Sequence, residues 1–471
     1  MAKAQRDLIN GPIGRTLLLF AMPTLGANIL QSLNVSINMV WIGRFLGEGA
    51  LAASSNASNI TFLSFSVFFG FGMAASVLVG QHIGRKDVDG ARRAVGAAAT
   101  LFLLISMAVM ALGIGLADWL LHLMGTPAAA LPAASAYLKA MLVVVPFSAL
   151  AALLMMSLRG AGDAMTPLWF MIVAIVVDAG LNPFLIIGIG PFPALGIVGS
   201  AVATLMSSMV SLGGMLFVVY RRDLPIRLRG PEWRYLLPEP ALLRLILAKG
   251  SLMGLQMLVM TLSGLVMVGL VNHGGVYAAA AYGVTFQLWN YVQMPAMAVG
   301  AAVTAMTAQN IGAGRWDRVR SIVSAGILYN LLMTGAAIAL VTLFDRTLLG
   351  LFLGSHSPAI PIAEKMHLLA GWSLLFAGMT IIMFAAIRAN GVVSGPLIIM
   401  IICLFGVRLG FATLAQRQLG FDALWWAFPF SSIVNLLLTW GYYARGGWRK
   451  VVLADQAKAA EHQAGGRPPA R

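Results

Sequence analysis

Long apolar stretches recur along the sequence, and they constrain its fold more than any other feature. A helix needs roughly 20 apolar residues to cross the hydrocarbon layer of a bilayer. Stretches of that length recur from near residue 16 to near residue 443, separated by short polar or Gly/Pro-rich segments. Of the 471 residues, 59% are hydrophobic and only 10% are charged, which is more apolar surface than a soluble core can bury. The sequence therefore predicts an all-α integral membrane protein.

The apolar runs predict twelve transmembrane helices in two sets of six. The first set covers residues 16–42, 54–80, 94–118, 135–158, 167–190 and 195–219, and the second covers 242–271, 281–308, 322–344, 363–387, 396–415 and 423–443. Between the sets, residues 221–240 are charged and carry four prolines. We therefore predict an N-terminal lobe over 1–220, a cytoplasmic linker over 221–241, a C-terminal lobe over 242–445 and a disordered tail over 446–471.

The two sets are related by an internal repeat. The segment Gln81–Gly84 matches Gln309–Gly312 at an offset of 228 residues. Arg159, Gly162 and Pro167 match Arg388, Gly391 and Pro396 at an offset of 229 residues. Both halves contain six predicted spans and begin on the same side, so the repeats are parallel. A parallel pair of this kind predicts a cleft between two bundles, where alternating access can occur.

The basic residues indicate the orientation of the chain in the membrane. The formal net charge is +15, yet all but six of the 31 Lys and Arg fall in the segments on one side of the predicted spans. The six exceptions are Arg44, Lys139, Arg346, Lys365, Arg408 and Arg417. This positive-inside asymmetry predicts cytoplasmic N- and C-termini. The charge is therefore weak evidence for nucleic acid, which we do not expect as a partner.

One acidic residue stands apart from the other fifteen. Asp178 lies in the middle of the apolar run MIVAIVVDAGLNPFLII, whereas nearly all the others fall in loops or tails. A charged side chain at that depth costs about 3 kcal/mol or more. Asn182 follows one turn later on the same helix face, and Pro183 weakens the local helix ladder. Asp178 is therefore the candidate group for binding a proton or ligating sodium, against the alternative of a structural hydrogen bond to a neighbouring helix.

Several motifs together resemble those of the multidrug and toxic compound extrusion (MATE) family. They are Pro23, Gly80–Gly84, Leu158–Asp163, Asp178–Pro183, Gly196–Thr204, Ala278–Tyr282 and Gln309–Gly314. The resemblance covers roughly residues 10–445. It implies a V-shaped pair of helix bundles that exports organic, often cationic, compounds in exchange for protons or sodium ions. It also implies a multi-pass protein of the bacterial inner membrane, which we expect to be a monomer.

The family pattern implies an ion-coupling site in the N-terminal lobe, from which this chain departs in two places. The site would hold Asn34, Asn38, Asp178, Asn182 and Thr204. Family members usually carry Asn before Asp in the fifth span, and here the order is reversed; Asn38 occupies a position where many members have Asp. The site would thus carry one negative charge, which favours proton coupling over sodium coupling without excluding sodium. Pro23 is expected to kink the first helix, either as part of coupling or as a static packing feature.

The second half offers a different set of polar candidates. Its acids, Asp317, Asp345, Glu364 and Asp422, are predicted in loops or at helix ends, so a carboxylate mechanism is not predicted there. Arg408 lies deep in the eleventh predicted span, aligned within one residue with Asp178 in the repeat. It is expected to pair with Asp178, to repel a cationic substrate, to attract an anionic group, or simply to snorkel or bond a carbonyl.

Amides in the second half are candidates for contacts with the substrate. Gln287, Asn290 and Gln293 recur every three residues on the eighth predicted span, among three aromatic residues. Such a stripe is expected to line the substrate cleft or to form hydrogen bonds between helices. Gln256 of the seventh span and Arg408 are included in the predicted cleft.

Other classes of protein receive little support from the sequence. The six histidines show no metal-ligand spacing, and neither a P-loop nor a hydrolase nucleophile elbow is present. We therefore predict a transporter, not an enzyme, with no metal and no cofactor beyond the coupling ion. The alternatives are a flippase for lipid-linked oligosaccharides, a membrane protein with a structural role, and a major-facilitator carrier whose typical loop signature is missing.

Overall fold

The computed structural model of the chain describes residues 7–450, apart from residues 124, 127, 129–130, 190–192, 238–239 and 355. For residues 48, 51–53 and 55–65 it describes the backbone alone. The predicted disordered tail covers 446–471. Its first residues are ordered, since Gly447–Arg449 form a 3₁₀ turn in which Trp448 is buried, and the part beyond Lys450 lies outside the described residues.

Every regular element in the described part of the chain is helical. The first five helices are α1 (Ile13–Gly84), α2 (Val88–Leu123), α3 (Leu131–Gly160), α4 (Met165–Ile187) and α5 (Ile197–Arg221). They are followed by α6 (Pro240–Asn272), α7 (Val276–Gly312), α8 (Trp316–Leu343), α9 (Asp345–Leu353) and α10 (Ile360–Met366). The last are α11 (Ser373–Arg388), α12 (Ser394–Ile401), α13 (Gly410–Leu414), α14 (Gln416–Leu419) and α15 (Ala423–Ala444). The prediction of an all-α fold is confirmed.

Helix α1 combines the first two predicted spans. The break between them is at Gly47, whose φ of 80° and ψ of −175° are not helical. A positive φ is easily adopted only by glycine, so the chain changes direction here without a loop. The apolar pattern predicted a gap over residues 43–53, and the structure shortens that gap to one backbone position.

Nine helices in the described part of the chain are long and apolar enough to cross a membrane, and the bent pair Ile360–Gly371 and Ser373–Arg388 is a tenth candidate. One of the nine is the helical stretch Ser394–Ala444, which runs from α12 to α15. Its 51 residues are enough for two crossings at roughly 20 residues each. The 37-residue α7 is not among the nine. Counting α7 once and Ser394–Ala444 twice would give twelve, so the predicted number does not conflict with the structure and stays a prediction.

The chain divides into two compact units. Unit 1 contains Gly26–Gly254, and unit 2 contains Leu8–Leu25 and Leu255–Asp455. The boundaries between these units fall inside α1 and α6. The boundaries predicted from the internal repeat instead assign each of these helices to one lobe. The domain boundaries at 220 and 242 describe the halves of the sequence, and they remain a prediction.

Close packing of α4 against α5 builds the part of unit 1 that carries the predicted ion site. A Cβ atom added to Gly199 would lie 2.4 Å from the backbone oxygen of Leu185. One added to Gly214 would lie 2.1 Å from the ring of Phe170. Small residues let helix backbones approach closely in membrane proteins. These glycines therefore bring the side chains of α5 within reach of α4.

The predicted linker is ordered over much of its length and packs on unit 1. Residues Gly230–Leu236 form a 3₁₀ helix, and Glu232 forms an ion pair with Arg92 of α2. Arg92 Nε also donates to the backbone oxygen of Pro225 at 3.2 Å. These contacts hold the connection against the start of α2.

Aromatic residues and two π-helical stretches characterise unit 2. The buried core contains Tyr282, Trp289, Trp425 and Phe428. The π-helical stretches are His367–Gly371, between α10 and α11, and Ile402–Leu409, between α12 and α13. Such π turns are rare in proteins, and those that occur are often found at functional sites.

Candidate functional site

The carboxylate of Asp178 lies at the centre of a buried polar cluster in unit 1. Its side chain belongs to α4, and the residue is 0% exposed. Asp178 Oδ2 accepts hydrogen bonds from Asn34 Nδ2 at 3.0 Å and from Asn38 Nδ2 at 2.8 Å. Thr204 Oγ1, from α5, lies 3.2 Å from Asp178 Oδ1 and 3.1 Å from the backbone oxygen of Ser200, and its single hydrogen is shared between these two acceptors. Two other helices of unit 1 thus supply donors to one carboxylate.

Asn182 closes the cluster from the same helix as Asp178. Its Nδ2 donates to the backbone oxygen of Asp178 at 2.8 Å, to Asp178 Oδ1 at 3.3 Å and to Asn38 Oδ1 at 3.1 Å. The next residue, Pro183, has no N–H and leaves a helix carbonyl without its usual donor. The structure brings together all five side chains that the sequence proposes for the site, and their role in ion coupling stays a prediction.

Two amide oxygens of the cluster are buried without a hydrogen-bond partner in the described part of the chain. They are Asn34 Oδ1 and Asn182 Oδ1. Unpaired buried acceptors are costly, at about 1 to 3 kcal/mol each. Both amides turn Nδ2 toward Asp178, so an amide must rotate before its oxygen can accept from a protonated carboxyl. The cluster therefore presents donors to an ionised Asp178, and it also contains two amide oxygens that no donor satisfies.

Tyr137 is a neighbour of the cluster that sequence reasoning missed. It belongs to α3, is 5% exposed and lies close enough to Asp178 to interact with its charge. It occurs in an ordinary apolar run, so no sequence signal connects it with Asp178. Only the packing of α3 reveals the proximity.

Pro23 is buried within α1, in the part of the helix that belongs to unit 2. The next residue, Thr24, donates from Oγ1 to the oxygen of Phe20 at 3.3 Å. The helix continues through this position. The predicted role of Pro23 in kinking the helix during coupling stays a prediction.

The amide stripe on α7 is accessible at the surface of unit 2. Gln287 and Asn290 are exposed and Gln293 is half-buried, and no hydrogen bond engages their side chains within the described residues. Interhelical bonding, the alternative to cleft lining, is therefore not observed for them. Gln256 differs, because it is 3% exposed; its Nε2 donates to the oxygen of Val393 at 3.5 Å, and its Oε1 accepts from Arg388 Nη1 at 3.4 Å.

Arg408 lies in the second π-helical stretch and is half-buried. Its Nε donates to Ser431 Oγ at 3.0 Å, and its guanidinium carbon is 4.7 Å from the ring centroid of Phe428. Neither partner carries a charge, and in the described part of unit 2 no carboxylate pairs with Arg408. An intramembrane cation held by a hydroxyl and a ring keeps its charge available for another group.

Comparisons with known proteins identify the family of this chain. The family model described as MatE matches residues 23–184 and again residues 253–414, once in each half of the repeat. The probable multidrug resistance protein YoeA of Bacillus subtilis is 34% identical, over 93% of this chain and 95% of that protein. A protein of Shewanella oneidensis named FAD transporter is 28% identical, over 93% of this chain and 95% of its own length.

A solved structure has the same fold. A mutant form of the Vibrio cholerae MATE transporter VcmN superposes with a TM-score of 0.85 at 20% identity, over 93% of this chain and 98% of that chain. The relatives are named as transport or multidrug resistance proteins, so an enzyme is the wrong class. From the family match in both halves, the identity to YoeA and the shared fold, we conclude that this chain is a multi-pass membrane transporter of the MATE family.

Proposed function

We propose that this protein is a secondary antiporter that exports multiple organic compounds, often cationic, in exchange for protons entering the cell. The substrates move by alternating access. The protein works as a monomer in the bacterial inner membrane with both termini in the cytoplasm, and its only cofactor is the coupling ion.

The observation that carries this proposal is the buried carboxylate of Asp178. It is 0% exposed, lies within a span and accepts hydrogen bonds from four side chains. An ionisable group held within the membrane in this way is typical of proton and ion pathways. The names of the relatives supply the substrate side of the proposal, since YoeA of Bacillus subtilis is named a probable multidrug resistance protein.

The orientation of the amides supports protons over sodium as the coupling ion. Asn34, Asn38 and Asn182 all direct Nδ2 toward Asp178. An NH₂ group is a donor and repels a cation, so sodium ligation requires rotating the amides and losing these hydrogen bonds. A proton binds a carboxylate oxygen directly, and rotation of one amide with an unpaired oxygen, Asn34 or Asn182, would give the new O–H an acceptor. Proton binding therefore disturbs fewer of these hydrogen bonds than sodium ligation would.

The test is efflux of ethidium or norfloxacin in everted membrane vesicles under an imposed pH gradient or an imposed sodium gradient. Asp178→Asn removes the titratable group and keeps the size of the side chain. We expect wild-type transport to follow the pH gradient, and we expect the variant to lose most of it. Asp317→Asn is the matched control, because Asp317 is an acid whose side chain is 68% exposed; it should transport like wild type.

Three outcomes would contradict the proposal. Full proton-coupled efflux by Asp178→Asn would remove Asp178 from the coupling site. Wild-type efflux that responds to sodium alone would replace the proton as coupling ion. Failure to move any organic cation would favour a different substrate.

An anionic substrate is the second candidate, and one observation favours it. Arg408 offers a charge without an acidic partner in the described part of unit 2, and the Shewanella oneidensis relative is named a FAD transporter. Flavin adenine dinucleotide therefore belongs in the same vesicle assay. Flux of the dinucleotide without flux of the cations would assign the transporter to anionic substrates. A lipid flippase is not favoured by the relatives.

A further inference from the structure

A largely buried histidine–aspartate pair occurs in unit 2, whereas the Asp178 cluster belongs to unit 1. His367 Nδ1 lies 2.6 Å from Asp345 Oδ1, and the two side chains are 3% and 14% exposed. The sequence gives no hint of this pair, because the residues are 22 positions apart and Asp345 is predicted at a helix end. Asp345 is indeed the first residue of α9, but its side chain points into the protein.

The second ring nitrogen of His367 is free to accept a proton. Nε2 is buried and has no hydrogen-bond partner in the described part of the chain. With Asp345 ionised, Nδ1 carries the hydrogen and donates it to the carboxylate, so that Nε2 keeps its lone pair. Addition of one proton to Nε2 converts a pair of charge −1 into a neutral ion pair, and no other bond is made or broken.

Few other charges surround the pair. On the short elements around the pair the ionisable side chains are Glu364 and Lys365 of α10, Arg346 of α9, His356 of the α9–α10 connection and Asp422 before α15. Lys365 is engaged by Asp422 at 2.6 Å. The long helices that pack nearby contribute two kinds of ionisable group. The charged ones lie at the helix ends far from the pair, in the first turn of α8 and at Arg388 of α11. The others are tyrosines: Tyr277, Tyr282 and Tyr291 of α7, Tyr329 of α8, and Tyr442 and Tyr443 of α15.

The position of His367 connects it with a bent span and with the aromatic core. His367 begins the π-helical stretch His367–Gly371, and the span bends by 46° just after that stretch, between Gly371 and Ser373. Its ring centroid is 6.4 Å from that of Trp289, which lies on α7 between the exposed amides Gln287 and Asn290. A change of charge on His367 therefore acts on a helix bend and on the helix predicted to contact substrate.

We infer that His367 and Asp345 form a second proton-binding site, located in unit 2 and independent of Asp178. Asp345 holds the ring and balances the positive charge, and His367 takes the proton at Nε2. The predicted topology puts the start of α10 on the side of the membrane opposite to the cytoplasm, from which the driving protons come. The use of this site in transport rests on the proposed proton coupling; its ability to bind a proton does not.

The first measurement is direct and needs no transport. Deuterium exchange at the imidazole C2–H, followed by mass spectrometry across a pH series, reports the protonation of each histidine in the purified protein. We expect the exchange rate of His367 to change across the pH series, and we expect Asp345→Asn, which removes the partner of Nδ1, to change that profile. A flat profile for His367 would overturn the inference.

The second measurement tests the use of the site. Ethidium is added to the purified protein in weakly buffered detergent solution, and proton release is followed with a pH-sensitive dye. The variant His367→Asn can keep a hydrogen-bond donor to Asp345, but its amide cannot take a proton. We expect it to lower proton release to about half of the wild-type amount. Asp178→Asn, which removes the other site, should have the same effect. His273→Asn is the control, because His273 is exposed, and it should release as many protons as wild type.

The two measurements separate the possible failures. Wild-type release from His367→Asn, with an unchanged pH profile of efflux, would make the pair purely structural and would overturn its role in transport. If His367→Asn does not fold, His367→Gln replaces it in the same assay. If wild-type protein releases no protons at all, the proposed proton coupling fails, and the exchange profile of His367 alone decides whether the pair binds a proton.

Discussion

At the residue scale, the chemistry of unit 1 depends on how a single carboxylate is surrounded. Asp178 has no cationic partner among the described residues of its cluster; it is held by three amides and a hydroxyl. Neutral donors stabilise the ionised carboxylate without fixing it, because none of them forms an ion pair that must be broken when a proton binds. The same residues thus support both protonation states of the site.

Thr204 gives a test of this arrangement. Thr204→Val keeps the shape of the side chain and removes the donor to Asp178 Oδ1, which lies at 3.2 Å. A hydrogen bond to a charged group contributes about 1.5 to 3 kcal/mol, so we expect proton-coupled efflux to fall by about tenfold or more at unchanged expression. The measurement is ethidium efflux under a pH gradient. Thr204→Ser retains the hydroxyl and should transport like wild type; equal loss in both variants would point to packing instead of the hydrogen bond.

At the scale of the elements, close helix contacts place the site residues. The first turn of α5 packs against α4 so tightly that a side chain at Gly199 would meet the backbone of Leu185. Thr204, five residues further along α5, reaches Asp178 because of this approach. The motif Gly196–Thr204 therefore combines a packing residue with a functional one.

Gly199→Ala tests the importance of that contact. The added methyl carbon would lie 2.4 Å from a backbone oxygen, and backbone cannot move aside as a flexible side chain can. Overpacking of this kind costs about 1 to 3 kcal/mol. We expect a lower midpoint in thermal unfolding of the detergent-solubilised protein. Gly213→Ala, on the same helix with no atom within 4 Å of the added carbon, should unfold at or above the wild-type temperature, and destabilisation by both changes to the same extent would contradict the explanation.

At the scale of the whole molecule, the internal repeat makes the two halves alike, whereas the ionisable groups within them differ. The repeat gives two halves with matching loop anchors, and the family model matches each half separately. Unit 1 contains the buried Asp178 in the middle of a span, whereas unit 2 contains the half-buried Arg408 and the pair of His367 with Asp345. The halves have therefore kept a common helical framework while their membrane-embedded chemistry has diverged.

The predicted orientation can be tested with cysteine labelling. Cys403 is the single cysteine of the chain and is buried, so the natural protein provides a low background. Arg222 and His273 are exposed at the ends of α5 and α6. A membrane-impermeant maleimide should label His273→Cys in intact cells, and should label Arg222→Cys only after the membrane is permeabilised. Labelling in the opposite order would reverse the topology inferred from the basic residues.

The sequence by itself determined the class of the molecule. Apolar runs of span length force helices, because lipid offers no hydrogen bonds to an open backbone. The duplicated Gln-Ile-Gly and Arg-Gly-Pro anchors reveal the repeat, and Asp178 is conspicuous because no other acid lies in the middle of an apolar run. These signals are local, or they recur at a fixed spacing, so they can be read without a structure.

The tertiary structure decided which side chains meet and which of them are left unpaired. The contacts of Asn34 and Asn38 with Asp178 join residues about 140 positions apart, and here the family pattern supplied what periodicity could not. The hydrogen-bonded pair of His367 and Asp345 had no such guide. The apolar pattern shows only how far a helix extends through the membrane. Packing at contacts such as Gly199 on Leu185 sets the rotation of each helix about its axis and decides which helices are its neighbours. In unit 2, helix packing likewise makes Asp345, an acid at a helix end, the partner of the buried His367.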